Sequence, residues 1–292
     1  MPGARRLPRA LVEKAREIAD GRASPAQPRN AASVLLVRDR PGATEPGGEV
    51  ELFWLHRQAT MAFAASMAVF PGGSVEPSDF EPLPEQLWRG PSPAQWAARL
   101  GTEVELARAL LSAAVRETFE ECGVLFAGLG AIEAAELEQD RLALLAGAHT
   151  FAELLSARDW PLRTDLLTPW ACWVTPVFQP RRYRTWFFLA TEPAEQRAGH
   201  VSSEAAVSGW GTPSAALVAE AAGEWSMMPP QYTTCVELHG VPDAATAAAL
   251  ARQRELDPIT PTARFQGDHA HLEIPEPLMA LTDRVRAELG LL

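Results

Sequence analysis

Glu117, Glu120 and Glu121 are the residues whose type and spacing point most directly to chemistry. At positions i, i+3 and i+4 of a helix, side chains share one side, with Cβ atoms only about 5–6 Å apart. Carboxylates so close repel one another unless a cation sits between them. A hard divalent ion with oxygen ligands resolves this, and magnesium is the usual choice where phosphates are present. A solvated acidic face is the alternative reading of any such cluster. Three neighbours favour the ion. Arg116 precedes the first glutamate and can orient carboxylates or meet a phosphate, and Gly123 supplies the left-handed residue that ends a helix. Upstream lies the loop Phe70-Pro71-Gly72-Gly73-Ser74-Val75-Glu76-Pro77-Ser78-Asp79.

The elements that must hold these residues are legible as patterns. Val104, Ala107, Leu111, Val115, Thr118 and Cys122 fall on one stripe at about 100° per residue, which predicts a helix over 103–122 with that stripe in the core. Apolar runs at 32–37 and 50–55 read as strands joined by a Gly- and Pro-containing hairpin loop. Further strands are expected at 170–178, 184–190 and 206–210. Helices are expected at 8–20, 94–100, 131–146, 149–157 and 213–222, with a short one after Pro230. The tail predicts a helix, a strand pair (259–265 and 269–274) and a last helix. Strands mixed with helices throughout argue for an α/β domain with decorations. We divide the chain into an N-terminal helix and linker (1–29), a main domain (30–240, insertion 80–115) and a C-terminal extension (241–292) packed on it.

Composition narrows the partners. The net charge is −11 and the pI about 5.1, so a nucleic-acid polymer is not an expected partner. The densest basic run, Arg181-Arg182-Tyr183-Arg184, is too short for a polymer track but suits a phosphate. Arg181 and Arg182 are therefore candidates to clamp one. Cys122, Cys172 and Cys235 are far apart and form no Cys-x-x-Cys pair, which suits a reducing compartment. No apolar run approaches the roughly 20 residues that cross a bilayer. Arg5, Arg6 and Arg9 are followed by no apolar stretch, so neither a membrane nor a signal peptide is expected, and the cytoplasm is.

The two acidic segments together resemble the halves of the Nudix box, Gly-x5-Glu-x7-Arg-Glu-U-x-Glu-Glu-x-Gly-U, with U aliphatic. Gly73 matches the opening glycine; Arg116, Glu117, Glu120, Glu121, Gly123 and Val124 match the second half in register. Asp79 stands where the first glutamate is expected, and Thr118 replaces an aliphatic residue. Residues 80–115 separate the halves. This split resembles the coenzyme A diphosphatase branch of the Nudix hydrolases, typified by the mammalian peroxisomal enzyme. The similarity extends through Met61-Ala62-Phe63, Thr175-Pro176, Pro180-Arg181-Arg182-Tyr183, Trp186-Phe187-Phe188, Trp210 and Pro229-Pro230, over residues 30–275.

The resemblance implies a Nudix-type α/β/α sandwich with a mixed sheet, a helical insertion inside the box and extra terminal helices. It implies hydrolysis of a phosphoanhydride bond in a nucleoside-diphosphate-linked molecule, with coenzyme A or an acyl-coenzyme A favoured. ADP-ribose, nucleoside triphosphates and dinucleoside polyphosphates stay open, as does a nucleotide-sensing module without catalysis. Glu117, Glu120, Glu121 and the main-chain carbonyl of Gly73 are the implied ligands of Mg2+, with Mn2+ as a substitute. Glu120, Glu121, Arg116 and Glu204 are the catalytic candidates; the general base belongs to the box or to Glu204. Arg57 and Phe63 join Arg181 and Arg182 as substrate-binding candidates, and a homodimer is the implied assembly. Because chemistry needs Gly73 beside Glu117, the insert is expected to loop outward and rejoin at the first turns of an unusually long box helix.

Overall fold

The computed structural model describes residues 6–41, 48–57, 67–128, 132–199 and 205–291. In chain order its first half runs α1 (Arg9–Ala19), β1 (Arg29–Arg38), β2 (Glu51–Arg57), β3 (Ala68–Val69), β4 (Gly72–Ser74), β5 (Trp88–Arg89), α2 (Pro93–Leu100), α3 (Val104–Cys122), α4 (Ala134–Leu145) and α5 (Phe151–Ala157). Then follow β6 (Leu162–Arg163), β7 (Thr168–Val174), β8 (Tyr183–Thr191), β9 (Ala205–Gly211), α6 (Pro213–Ala221), α7 (Pro229–Leu238), α8 (Ala244–Arg252), β10 (Thr262–Gln266), β11 (His269–Glu273) and α9 (Glu276–Glu288).

β1 is apolar almost without alternation because both its faces are covered. Val34 and Leu36 share a buried cluster with Trp186, Phe188 and residues of α2 and α3. Leu35 and Val37 point the other way, into a cluster with Phe187, Leu189 and residues of α6, α7, α8 and α9. The sheet order is β3-β2-β1-β8-β7, with β4 also paired to β1 and β9 to β2. β8 runs parallel to β1 and the other pairs are antiparallel, so the sheet is mixed and lies between helical layers.

α3 is the helix that the spacing predicted, with Gly123 in the left-handed region (φ 76°) donating its N–H to Phe119 O. Ala107, Leu111, Val115, Thr118 and Cys122 are buried as expected, but Val104 is 37% exposed at the first turn. The buried surface is also wider than a stripe, since Ala109, Leu110, Ala113, Ala114 and Phe119 are buried too. A helix between a sheet and other helices is covered nearly all round.

The insert does rejoin at the start of α3, through Gly101 (φ 62°). It does not simply loop outward. Trp96, Ala97 and Leu100 lie in the same buried cluster as residues of α3, and Leu87 is buried as well. Trp96 Nε1 donates to Thr164 Oγ1 (3.1 Å), and β5 pairs with β6. A Ser92–Gln95 capping box with Pro93 at the first helical position starts α2. The insert is thus part of the core. At the other end of the chain, Val241, Ala244, Ala247, Ala251, Ile274 and Val285 pack onto the opposite sheet face. α1 packs with the β10–β11 hairpin around Leu7, Val12, Phe178 and Ala270. No helix among the described residues is long and apolar enough to cross a membrane.

Candidate metal and phosphate site

β4 brings the two halves of the box together. Its residues Gly72, Gly73 and Ser74 pair with Ser33, Ala32 and Ala31 of β1, directly beneath α3. Gly72 has φ 150°, and a Cβ there would overlap the main chain of Ala32 and Ser33. A Cβ on Gly73 would overlap the Glu117 carboxylate. Both glycines are required by close approach. Gly72 N–H donates to Glu121 Oε2 at 2.8 Å.

Arg116 closes the site. Its Nε and Nη2 donate to Asp79 Oδ1 and Oδ2, both at 2.9 Å, in a two-pronged pair. Nη1 donates to Glu117 Oε1 (2.9 Å) and Glu120 Oε2 (3.3 Å), and Nη2 also reaches Ser74 O (3.3 Å). Asp79 is fixed in turn because Oδ2 accepts the Glu76 N–H at 2.8 Å, within the 3-10 turn Pro77–Phe80. The shorter acid at 79 is therefore fully employed, as the buried partner of Arg116.

Three carboxylates around one guanidinium leave two negative charges unmatched. Burial pushes Glu117 up to about 7 against the pull of Arg116, with Glu120 adding to the rise. Burial raises Glu120 as well, again opposed by Arg116, and Glu76 adds to it. Burial works against the charge on Arg116, but Asp79, Glu117 and Glu120 outweigh it and hold that pKa above its ordinary value. Among the described residues no three His, Cys, Asp or Glu side chains already converge as ligands. Glu117 and Glu120 are turned onto Arg116, and Glu121 onto Gly72. The donor chemistry nevertheless fits a hard divalent cation: all-oxygen groups, partly desolvated, with an excess of negative charge.

The other sequence-derived candidates are not all gathered here. Glu204 and Phe63 lie outside the described residues, and Arg57 ends β2 with its side chain outside the description. β8 occupies one edge of β1 from Arg29 to Val37, so β2 and β4 share the other edge. Arg181 and Arg182 precede β8 and so enter on the edge away from Gly73 and Glu117. Arg182 is spent on main-chain carbonyls, Nε on Thr175 O (3.0 Å) and Nη1 on Ala26 O (2.7 Å), and burial lowers its pKa. Arg181 is exposed. In this structure neither arginine is hydrogen-bonded to the glutamates, and a phosphate clamp by the pair is left to the test described below. Sequence reasoning passed over Glu76, whose acid in the loop half was the available signal.

Fold and site together define a hydrolase of the Nudix class. The model of the NUDT19 Nudix domain family matches residues 28–238, and the chain belongs to that family. An acyl-coenzyme A diphosphatase NUDT19 from Gallus gallus is 28% identical, over 85% of this chain and 81% of that protein. A protein of the same name from Xenopus laevis is 24% identical, over 66% of this chain and 60% of that protein. Among solved structures, a NUDIX hydrolase from Alicyclobacillus acidocaldarius superposes with TM-score 0.61 at 25% identity, covering 79% of this chain and 98% of the other.

Proposed function

We propose that this Nudix hydrolase cleaves the diphosphate of coenzyme A or an acyl-coenzyme A, leaving two phosphomonoesters. The observation that carries the hydrolase site is the bonding of Arg116 to Asp79, Glu117 and Glu120, which joins loop and helix across the insert. The substrate class is supported by similarity to the Gallus gallus acyl-coenzyme A diphosphatase.

In this reading Glu117, Glu120, Glu121 and the carbonyl of Gly73 hold Mg2+, with Mn2+ as substitute. The cation, when bound, neutralises diphosphate charge and lowers the pKa of a water. Arg116 keeps the carboxylates in register. Asp79 holds Arg116 and is too enclosed to act on substrate (side chain 0% exposed). Glu120 or Glu204 takes the proton of the attacking water; the pH–rate profiles of E120Q and E204Q separate the two, because only loss of the base removes the acid limb.

The test is incubation of the purified chain with Mg2+ and coenzyme A, an acyl-coenzyme A, ADP-ribose, a nucleoside triphosphate and a dinucleoside polyphosphate, with products identified by mass. Cleavage of the coenzyme A compounds at the highest kcat/KM is expected. Faster turnover of another member of the panel replaces the substrate class and keeps the site. Turnover of none, with nucleotide bound, favours a sensing module.

A further inference from the structure

α3 carries its carboxylates at the end where a helix least favours them. The macrodipole puts negative partial charge at the C-terminus, and Glu117, Glu120 and Glu121 all lie in the last turns of α3. The last carbonyls of a helix also lack intrahelical partners. Three of them are met from outside the helix. Phe119 O accepts the Gly123 N–H (3.0 Å), and Cys122 O accepts the Gly199 N–H (3.1 Å). Glu120 O accepts from Arg141 Nη1 at 3.1 Å. Of these three donors, Arg141 alone is a side chain brought in by a different helix, α4.

Arg141 is only 2% exposed, and burying a guanidinium is costly unless it is paired and hydrogen-bonded. Its Nε and Nη2 hold the Glu138 carboxylate, at 2.8 Å each. A salt bridge alone needs no burial: Arg163 and Asp165 make theirs at 27% and 36% exposure. What burial adds for Arg141 is the reach of Nη1 to Glu120 O. Glu120 is consequently held twice, its carboxylate by Arg116 and its carbonyl by Arg141. A cation held by these carboxylates would also sit at the negative end of the dipole, the favourable place for positive charge.

We infer that Arg141 is a positioning residue for the metal-binding carboxylates. It acts through the main chain of Glu120 and touches no substrate. The inference rests on the reading that the α3 glutamates hold a divalent cation. An outer contact of this kind typically changes metal affinity or activity by about tenfold to a hundredfold.

The test uses the full chain, with Mn2+ binding followed by electron paramagnetic resonance beside steady-state kinetics. R141M is expected to weaken Mn2+ binding about tenfold and to lower kcat about tenfold, with KM for the diphosphate substrate little changed. R141K keeps a donor for Glu120 O and recovers most of both losses. E138Q leaves the Arg141–Glu120 contact in place and stays within about twofold of the parent protein. If R141M binds Mn2+ as well as the parent or more tightly, with kcat unchanged, the inference is overturned. A tenfold loss of Mn2+ affinity and kcat in E138Q, the size expected for R141M, also overturns it, and this outcome decides even where R141M fails to fold. Absence of Mn2+ binding by the parent protein overturns the underlying metal reading instead, so the two failures are distinguishable.

Discussion

Arg116 and Arg182 are both partly or wholly enclosed and both make several hydrogen bonds, yet to opposite ends. Arg116 meets three carboxylates from two distant segments and offsets part of their charge. Arg182 meets the carbonyls of Thr175 and Ala26, tying the linker after α1 to the loop before β8. The first arginine organises an acidic site that still calls for positive charge. The second stitches backbone. An arginine near a candidate site is informative only once its partners are known, since a guanidinium has five donors and no acceptor and each donor can be claimed locally.

The largest effect that sharpens this contrast is on the acidic side. E120Q and E121Q are each expected to lower kcat by about a hundredfold or more, because each removes an anionic ligand from the proposed cation. Circular dichroism and the urea midpoint should remain near those of the parent, since amide and carboxylate have similar shape. Near-normal turnover by both variants breaks the metal assignment.

Next is the stability that Arg116 lends. Asp79 is fully buried against it, and removing one partner of a buried pair costs about 3–5 kcal/mol. R116M should therefore lower the urea midpoint strongly at an unchanged m-value. R182A should not. Equal losses from the two would erase the distinction between them.

A pH effect follows from Glu117. Its pKa is raised from 4.5 to about 7 on folding, so between those values the folded metal-free chain keeps a proton that the unfolded chain has released. Stability of the metal-free protein should fall as pH rises through that window and level off above it. E117Q should flatten the fall, as should saturating Mg2+ in the parent, which favours the ionised form. Urea melts at pH 5, 6, 7 and 8, with and without metal, read this directly; a rise in metal-free stability across the window contradicts it.

What was legible in the sequence was local. The i, i+3, i+4 spacing of the glutamates and the stop at Gly123 sufficed for α3, because helix geometry follows from a few neighbouring residues. Whereas β3 and the Gly-Gly-Ser strand β4 carry no apolar run, β1, β2, β7, β8 and β9 of the main sheet followed from theirs. The strand order did not. Which edge of β1 receives β8 is decided by pairing across the whole chain, and that choice puts the strand after Arg182 on the edge of β1 opposite β4. The insert was misjudged for a related reason. Leu87, Trp96 and Leu100 are apolar residues in a Pro-punctuated stretch, and the burial of Trp96 depends on distant partners, Phe188 against its ring and Thr164 Oγ1 at its N–H.

The smallest effect tests the quieter arginine. R181A and R182A are expected to leave kcat/KM within about twofold of the parent for the true substrate, whereas loss of an engaged charged hydrogen bond costs roughly 1.5–3 kcal/mol, tenfold or more. R182A should still lower stability by about 1 kcal/mol, through the bonds to Thr175 O and Ala26 O. R181A, exposed and at the mouth of the same loop, should lower it by less. A tenfold loss of kcat/KM in R182A, with KM raised and kcat intact, would mean that its guanidinium leaves those carbonyls for a phosphate when substrate arrives. Should both stay near the parent value, positive charge for the diphosphate must enter from the edge of β1 that carries β4. Arg57 is then the first to substitute: it ends β2, and β2 shares that edge. R57A lowering kcat/KM tenfold while R182A does not would complete the contrast between an arginine that meets charge and one that holds backbone.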